Sequence, residues 1–404
     1  MPKRNILEAA TTFPRWKNDT EPGFVFELCR QLAGYGHNVI ALAPHFHNAK
    51  KHEIIGNVKI YRFSYFVPYR LQKVCYEGGI LANLKRHKIA VFQLPLLFLS
   101  EFFSMAKLIK KEKIDVVHAH WIIPQGVAAY LCKKLFGIPY IATAHAGDIF
   151  PVKSPILRIL ARLVIKNSAY CTANSAFTKG KLEQIFDKKG INLIPMGVDM
   201  GMFRKRGRND KLMGKFGIKK EFILGVGRLV EKKGFKYLVT AMSQVVKEFP
   251  HAKLVIVGDG PERASLELLA EELGLGSNVA FAGKVGNRLL PEYYASADLF
   301  VGPSIVTESG DTEGLGVAFL EALASGTCVI GSNVGGIPDI INHNKTGLLV
   351  RQKNSEELAN AIINLLSSPK LRKSLAFNGH NHIKRNYSWD LIGKKFNMLV
   401  ESVK

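Results

Sequence analysis

Acidic side chains are scarce in this chain of 404 residues, where 33 Asp and Glu stand against 56 Lys and Arg and give a formal net charge of +23. The excess is uneven: residues 1–199 hold 28 basic and 13 acidic side chains, and the remaining residues hold 28 and 20. A basic field attracts nucleic acid, anionic lipid headgroups and phosphorylated small molecules. We therefore expect the first half to face an anionic partner, although lysines that serve only solubility would give the same count.

Cysteine is scarce as well, with five residues that lie far apart and form no C-x-x-C pair. They are Cys29, Cys75, Cys132, Cys171 and Cys328. Their odd number and wide spacing argue against a disulfide framework and a zinc site, and are typical of a reduced cytoplasmic protein. The first residues, MPKRNILEAATTF, lack the long apolar core and cleavage site of a secretion signal. We expect a cytoplasmic location.

Several catalytic motifs are missing from the sequence. It contains no P-loop G-x-x-x-x-G-K-[ST], no G-x-S-x-G nucleophile turn, and no D-x-D of the kind that holds Mg²⁺ or Mn²⁺. Two histidine pairs, His45 with His47 and His118 with His120, could each share one face of a strand. No further ligand stands at a useful spacing, so we predict neither a metal ion nor a cofactor. We interpret His118 and His120 as lining a groove after a strand, with packed core histidines as the alternative.

Long hydrophobic runs are limited to one stretch, from Ile89 to Ile109. It contains Gln93 and Glu101, and the cost of a carboxylate at the centre of a bilayer argues against a spanning helix. Basic clusters at residues 85–88 and 107–113 flank the stretch. A buried core helix is one interpretation. The other is a surface that meets an anionic membrane or a lipid-linked acceptor, which would make the protein peripheral on the cytoplasmic face of a membrane.

Short runs rich in Val and Ile alternate with helical patterns, as expected for parallel α/β sheets. The strand candidates are Asn5–Ala9, Asn38–Ala43, Val58–Phe63, Asp115–His118, Tyr140–Thr143, Ala169–Ala173 and Asn192–Ile194, then Phe222–Val226, Lys253–Val257, Asn278–Phe281, Leu299–Val301, Thr327–Gly331 and Thr346–Val350. Helices are predicted between most of them, notably Glu21–Tyr35 and Pro155–Lys166.

The alternation is interrupted by a stretch rich in Gly, Arg and Asp, from Gly197 to Asp210, which we interpret as a linker. The sequence thus predicts two Rossmann-like, doubly wound domains at residues 1–199 and 200–382. Residues 383–404 are predicted to form a helix that crosses back toward the N-terminal domain. Two such domains would bind ligand in the cleft between them, at the carboxyl ends of their strands.

The most informative segment is EGLGVAFLE, which places Glu313 and Glu321 eight residues apart around an apolar, helix-forming run. A helix over this distance rises about 12 Å, so both carboxylates could face one groove. Ionised carboxylates accept hydrogen bonds and donate none, which suits sugar and ribose hydroxyls. Gly314 and Gly316 would leave the first amides of the helix open to a phosphate. Two solvated glutamates on an amphipathic helix would show the same spacing.

A pair of cations follows the strand candidate Phe222–Val226, with Arg228 in the next loop and Lys233 five residues later. Arg as a bidentate fork and Lys as a point charge suit a diphosphate. The G-x-G at Gly225 to Gly227 lacks the third glycine and the acidic residue of a dinucleotide fingerprint, which argues against a nicotinamide dehydrogenase.

These segments together resemble a known family. In order, GRLVEKKG, VIVGDGPE, ADLFVGPS, EGLGVAFLEALASG, GSNVGGIPDII and TGLLV are similar to the C-terminal domain of the retaining glycosyltransferases of family four. The first half resembles the same family in LCRQLAGYGHNV, DVVHAHW, ATAHAGD, TANS and IPMGVD. The resemblance spans nearly the whole chain and implies the GT-B fold, an α/β fold of two Rossmann-like domains that face each other across a cleft.

The resemblance also implies roles for residues that match the family's motifs. Arg228 and Lys233 resemble the pair that grips the nucleotide diphosphate, Glu313 the acid that holds sugar hydroxyls, and Glu321 the acid that holds the ribose. The amides of Leu315 and Gly316 would contact sugar or phosphate, Val285 the base, and His145 the transferred sugar at the catalytic centre. Gly23 stands where the family often has paired glycines, so an open approach of backbone to phosphate is less secure there.

The activity implied is metal-independent sugar transfer from a nucleoside-diphosphate-sugar to an acceptor hydroxyl with retention of anomeric configuration. The leaving diphosphate itself would assist the incoming hydroxyl. The basic first half favours a phosphorylated or lipid-linked saccharide acceptor, as in envelope glycolipid or polysaccharide synthesis. A sugar-nucleotide epimerase of similar architecture is one alternative. A basic protein that binds nucleic acid or membrane is another, but no nucleic-acid-binding module is recognisable, so nucleic acid is not an expected partner.

Overall fold

The computed structural model describes residues 3–17, 19, 21, 23–149, 152, 154–186 and 190–404. They divide into two units, one formed by Met1–Pro195 with Ile392–Lys404 and the other by Met196–Leu391. The predicted boundaries stood at residues 199/200 and 382/383. The stretch predicted as a linker, from Gly197 to Asp210, lies within the second unit.

The first unit is built on an eight-stranded sheet with the order β3-β4-β2-β1-β5-β6-β7-β8. Its strands are β1 (Asn5–Ala9), β2 (Asn38–Pro44), β3 (His52–Ile55), β4 (Val58–Phe63), β5 (Val116–His120), β6 (Tyr140–Ala144), β7 (Tyr170–Ala173) and β8 (Asn192–Leu193). All neighbours pair in parallel except β3, which pairs antiparallel with β4. The central strands are buried on both faces, which explains their nearly continuous apolar runs.

Helices cover the sheet of the first unit. They are α1 (Phe24–Gly34), α2 (Ile80–Arg86), α3 (Lys88–Lys111), α4 (Gln125–Phe136), α5 (Pro155–Asn167) and α6 (Ala176–Ile185), and residues Tyr69–Leu71 form a 3-10 turn. Helix α5 begins where the sequence predicts, because Ser154 caps the amide of Leu157 and Pro155 occupies the first turn. Helix α3 packs with one side on α4 and β2 and leaves its other side exposed.

The second unit is built on a six-stranded parallel sheet with the order β11-β10-β9-β12-β13-β14. Its strands are β9 (Phe222–Val226), β10 (Lys253–Val257), β11 (Val279–Gly283), β12 (Leu299–Gly302), β13 (Cys328–Ser332) and β14 (Leu348–Val350). Its helices are α7 (Asp210–Lys215), α8 (Phe235–Glu248), α9 (Arg263–Glu272), α10 (Leu290–Ser296), α11 (Val317–Ala324), α12 (Ile337–Ile340), α13 (Ser355–Ser367) and α14 (Pro369–Asn386), with a 3-10 turn at Glu231–Lys233.

The last helix, α15 (Trp389–Ser402), begins in one unit and ends in the other. At its start, Val198 pairs with Ser388, and the Trp389 ring packs on Gly197 so closely that a Cβ there would lie 2.7 Å from it. Farther along, Asn397 Oδ1 lies 2.7 Å from Nε2 of His37, in the first unit. The chain therefore returns to the first unit for its final residues.

Both sheets contain a point where the strand order reverses direction. In the first sheet it lies between β1 and β5, and in the second between β9 and β12. Loops that leave such a pair of parallel strands diverge toward opposite faces, and the crevice at their carboxyl ends is where α/β proteins bind ligands. The residues that follow these four strands are therefore the candidates for ligand binding.

Candidate active site

In the second unit, a lysine and a glutamate meet at the switch point of the sheet. Lys233 belongs to the 3-10 turn after β9, and Glu313 lies on the loop after β12, where the two side chains form an ion pair. Burial alone would raise the pKa of Glu313, but the charges of Lys233 and Lys232 outweigh it and lower that pKa. Glu313 is therefore an ionised acceptor at neutral pH, with a lysine ammonium held beside it.

Glycines set the position of both loops. A Cβ on Gly335, whose φ is +57°, would lie 2.0 Å from the carbonyl oxygen of Glu313, and the amide of Gly336 donates to that same oxygen over 3.0 Å. A Cβ on Gly258 would lie 1.8 Å from the carbonyl oxygen of Gly227. Side chains at these positions would push the loops away from the crevice.

The helix predicted between the two glutamates is shorter than expected. Helix α11 begins at Val317, so Glu313 lies on the preceding loop, and the predicted helical spacing of the two carboxylates is wrong. The reason is Gly316, because its left-handed φ of +93° lies outside the helical range and the helix can begin only at the next residue. Leu315 is buried. Gly316, Lys233 and Glu313 together line one narrow cleft.

Glu321 lies on α11 and accepts a hydrogen bond of 2.8 Å from the Tyr294 hydroxyl. Burial raises the pKa of Glu321 to about 7, and the hydrogen bond from Tyr294 and the charge of Lys233 only partly oppose it. Glu321 thus changes its protonation near neutral pH, unlike Glu313. Arg228 follows the same strand as Lys233, and Val285 lies half-buried on the loop after β11.

The first unit carries a second cluster, centred on a buried carboxylate. Glu8 on β1 is fully buried, and its Oε2 lies 2.7 Å from Nε2 of His120 and 3.0 Å from Nδ1 of His118, both on β5. Nδ1 of His120 lies 3.1 Å from Nε2 of His145, which follows β6. Nε2 of His118 lies 2.7 Å from Oγ1 of Thr143 on β6. The switch point of this sheet is thus occupied by a polar network inside the protein.

The charges of this cluster fix the direction of its hydrogen bonds. Burial would raise the pKa of Glu8, but electrostatic interaction with His118 and the hydrogen bond from His120 lower it to about 2. Burial and the charge of His118 lower the pKa of His120 to about 4, and burial lowers that of His145 as well. A neutral His120 must donate from Nε2 to the carboxylate, so its Nδ1 accepts from Nε2 of His145. The unprotonated nitrogen of His145 is therefore Nδ1.

The predicted position of His118 and His120 is wrong. His118 and His120 do not line an open groove after a strand, because both lie on β5 and are fully buried. They are the packed core histidines of the alternative interpretation. Together with Glu8 they form the one group among the described residues whose ligand atoms lie close enough together to hold a metal ion. Oε2 of Glu8 and Nε2 of His120 lie 2.7 Å apart, which is the distance of a hydrogen bond.

His145 stands at the accessible edge of this network. Its ring centroid lies 5.1 Å from those of Phe24 and Trp121. Phe24 follows Gly23, so the predicted phosphate loop and His145 come together at the start of α1. Gly23 itself has a φ of −92° and room for a Cβ, so its place does not require glycine.

The residues beside His145 and His120 are strained. Ala146 and Trp121 have φ values of 71° and 85°, which residues with a side chain rarely adopt. Asp148 holds this backbone by accepting from the amides of His145 at 3.1 Å and Ile122 at 2.6 Å. Burial raises the pKa of Asp148 to about 6, opposed by these bonds.

Sequence reasoning missed three residues that hold the candidate site residues. Glu8 could have been noticed as a lone carboxylate in an apolar strand. Tyr294 and Asp148 act on partners 27 and 3 residues away through contacts that no pattern in the sequence indicates.

Two doubly wound units, with a lysine and a carboxylate paired at the switch point of the second sheet, match the architecture of a glycosyltransferase of the GT-B fold. Residues 209–382 match the family model for glycosyl transferases group 1, and residues 24–201 match that for glycosyltransferase family 4. The chain belongs to glycosyltransferase family 4. Membership does not favour the alternative of a sugar-nucleotide epimerase.

Three known proteins illustrate the similarity. A GDP-mannose-dependent alpha-(1-6)-phosphatidylinositol monomannoside mannosyltransferase of Mycobacterium tuberculosis is 30% identical over 300 residues, or 72% of this chain and 77% of the relative. An N-acetyl-alpha-D-glucosaminyl L-malate synthase of Bacillus anthracis is 28% identical over 383 residues, or 93% and 92% of the two chains. The solved sucrose-phosphate synthase of Thermosynechococcus elongatus has the same fold, with a TM-score of 0.80, 22% identity and coverage of 99% and 98%.

Proposed function

We propose that the protein transfers a sugar from a nucleoside-diphosphate-sugar to a hydroxyl of an anionic acceptor, with retention and without a metal ion. The donor binds to the second unit and the acceptor to the first. The observation that carries the donor assignment is the ion pair of Lys233 and Glu313 at the switch point of the second sheet. It offers a cation for the diphosphate and an ionised acceptor for sugar hydroxyls at one place.

In this proposal the chemistry rests on stabilising the leaving group. Lys233 and Arg228 bind the diphosphate oxygens and stabilise the charge that develops as the bond from the sugar C1 to the phosphate oxygen breaks. The acceptor oxygen bonds to C1 on the same face, and its proton passes to the departing diphosphate. Glu313 is already engaged by Lys233, which suits it to orient the sugar rather than to attack it. Lys233 and Arg228 neutralise the charge of the diphosphate, which in a metal-dependent enzyme a metal ion would neutralise.

The nature of the acceptor is supported by charge. The first half of the chain carries most of the net positive charge, with 28 basic against 13 acidic residues in positions 1–199. Two relatives are named for acceptors that are themselves anionic, a phosphatidylinositol monomannoside and L-malate. We therefore propose a phosphorylated or lipid-linked saccharide acceptor, as in envelope glycolipid or polysaccharide synthesis.

The exposed side of α3 supports a peripheral membrane location at the cytoplasmic face. Phe92, Leu96, Leu99 and Phe103 are exposed at spacings of four, three and four residues, which places them along one stripe. Exposed basic residues flank the stripe at both ends: Lys85, Arg86, Lys88, Lys107, Lys110 and Lys111. Apolar side chains between cations suit the interface of an anionic membrane.

The same helix does not have the character of a spanning segment. By length and composition alone, α3 is the one described helix that could cross a membrane. Its protein-facing side, however, carries Gln93 and Glu101, both fully buried, and Gln125 on α4 donates to Glu101 over 2.8 Å. The hydrogen bond between Gln125 and Glu101 exists only while α3 stays packed in the first unit.

The donor assignment is tested by thermal stabilisation with UDP, GDP, ADP, TDP and CDP, with and without EDTA. One diphosphate should stabilise the wild type by about 2.7 kcal/mol at a hundred times its dissociation constant, and EDTA should leave the shift in place. The variant Lys233→Ala should lose most of it. No stabilisation by any diphosphate would refute the donor site, and loss with EDTA would refute metal independence. The anomeric configuration of the product, read by NMR, tests retention.

A further inference from the structure

The first unit contains a cavity of about 250 Å³ between the end of β2 and the start of α3. Its lining includes Arg70, Lys73, His47, His87, Tyr69 and Glu77. We call it the Arg70 cavity. Residues 45–49 follow β2 and residues 64–79 follow β4, so the cavity lies at the carboxyl edge of the sheet, the same edge as His145.

Buried amide side chains hold the wall of the Arg70 cavity in place. Gln93 on α3 accepts from the amide of Lys73 over 3.0 Å and donates to the carbonyl of Leu71 over 2.6 Å. Asn83 on α2 donates to the carbonyl of Tyr76 over 2.8 Å. Gln72 accepts from the amide of Tyr65 over 2.9 Å. Three amides that bind loop backbone make this wall preformed, which lowers the entropy cost of binding.

The wall is also strained. Four consecutive residues, from Tyr76 to Gly79, have φ values of 65°, 48°, 130° and 81°. Tyr76 and Glu77 have side chains, for which this conformation is costly. The Tyr76 ring is fully buried, and its hydroxyl donates to the carbonyl of Pro44 over 2.7 Å. Such strain persists where surrounding contacts impose it, and it is common at binding sites.

The charges of the Arg70 cavity are unbalanced toward positive. Nε of Arg70 donates to Nε2 of His47 over 3.0 Å, and among the described residues no carboxylate forms an ion pair with Arg70 or Lys73. Arg15, close by, differs: Asp19 binds it through both carboxylate oxygens, at 2.7 and 2.8 Å. Only Glu77 adds a negative charge to the lining. An anion in the cavity would therefore meet a guanidinium with terminal N–H groups to offer and an ammonium beside it.

We propose that the Arg70 cavity binds the phosphate group of the acceptor, as a monoester or a diester. The inference rests on the proposed function and adds where its anionic acceptor binds. Arg70 supplies a fork that fits two phosphate oxygens, and Lys73 a second positive charge. Tyr69 and Phe46 give the cavity aromatic surface for an adjoining ring. The volume is below the usual range for whole-ligand pockets and suits a headgroup.

The test is phosphate binding by the full-length protein with the donor site saturated by the preferred nucleoside diphosphate, so that phosphate cannot occupy that site. Calorimetric titrations use inorganic phosphate and glycerol 3-phosphate as soluble probes, and sedimentation uses vesicles with and without phosphatidylglycerol. The variant Arg70→Gln/Lys73→Gln is compared with Arg158→Gln/Lys166→Gln, which removes the same charge from exposed positions on α5. Melting curves confirm that each variant is folded.

We expect the soluble probes to bind the wild type and the α5 variant alike, and the cavity variant at least about tenfold more weakly. If the cavity variant binds more weakly only to vesicles, the phosphate group is that of a lipid headgroup, and the proposal that the cavity binds a phosphate ester is still supported. Equal binding by all three proteins, or equal loss in both variants, would overturn the proposal. Stabilisation by the diphosphate is measured separately, and its absence would refute the donor site without bearing on the cavity.

Discussion

Glu8 and His120 share a hydrogen bond of 2.7 Å in the interior of the first unit, although 112 residues separate them in the chain. Through it the carboxylate fixes the proton on Nε2 of His120, and His120 in turn fixes the proton on Nε2 of His145. The carboxylate touches no solvent. We therefore regard Glu8 as a positioning residue, which acts on the site only through the two rings.

The first prediction concerns stability and pH. The folded pKa of Glu8, about 2, lies below its ordinary 4.5, so Glu8 stabilises the fold above about pH 4.5 and this contribution is lost as pH falls toward 2. The variant Glu8→Gln should lower the free energy of unfolding at pH 7 by about 3 kcal/mol, because it leaves histidines buried without their carboxylate. Urea unfolding at pH 7 and pH 3 measures both effects, and the loss should be smaller at pH 3. An equal loss at the two pH values would contradict the charge assignment.

The second prediction concerns Glu321. Its folded pKa of about 7 lies above the ordinary 4.5, so the folded state holds this proton more tightly than the unfolded state does. The stability that the protonated Glu321 contributes is fully present below pH 4.5 and is lost as the pH rises through 7. An ionised Glu321 is, however, the better acceptor for ribose hydroxyls. We expect the nucleoside diphosphate to bind more tightly at pH 8 than at pH 6, and Glu321→Gln to weaken this dependence, leaving the part that comes from ionisation of the diphosphate itself at about pH 6. Calorimetry across the range measures it.

Tyr294→Phe provides a sharper control for that titration. The Tyr294 hydroxyl lowers the pKa of Glu321, so its removal should move the midpoint of diphosphate binding to higher pH while leaving the carboxylate in place. A midpoint that stays fixed, or moves down, would show that another group causes the dependence.

The third prediction concerns the cation at the second switch point. Lys233→Ala should lower kcat/KM by about a hundredfold or more, because it removes the charge proposed to stabilise the leaving diphosphate and breaks the ion pair with Glu313. Lys236→Ala, an exposed lysine three residues later on α8, serves as the matched control. Steady-state kinetics should show near wild-type values for the control. Similar losses in both variants would point to general electrostatics instead.

The fourth prediction concerns the exposed stripe of α3. Phe92→Ser/Phe103→Ser should reduce sedimentation with anionic vesicles several-fold, since both rings are exposed, at 80% and 64%, and free to enter an interface. The control is Phe377→Ser, which removes a ring that is 68% exposed in the second unit. Wild-type protein that fails to sediment with anionic vesicles at low salt would refute the membrane proposal.

The sequence predicted the sheets better than the site. Strand β9 was predicted with its observed bounds because it is a buried, nearly continuous apolar run, which is the strongest signal a parallel strand can give. Strand β3 was missed because it is a short, partly exposed edge strand without that signal. Lys233 and Glu313 were predicted as separate parts of a donor site, and the ion pair between them was not predicted, since it follows from the order of the strands.

Other parts of the site lay beyond any sequence pattern. The start of α11 depends on the left-handed φ of Gly316, and a glycine in a helical pattern does not reveal which conformation it takes. The burial of His118 and His120 depends on Glu8 and on Phe396, whose ring centroid lies 5.3 Å from that of His118. The partners of this cluster come from opposite ends of the chain, so no local spacing indicates them.

The path of α15 has a consequence for the order in which the protein can fold. The first unit includes Ile392–Lys404, where Val403 is buried and its carbonyl oxygen accepts from Nη2 of Arg4 over 2.6 Å. A ribosome makes Ile392–Lys404 only after the whole second unit, Met196–Leu391, has been made. Until then the sheet of the first unit lacks the Phe396 ring that packs on His118. The unit that begins synthesis first is the one completed last.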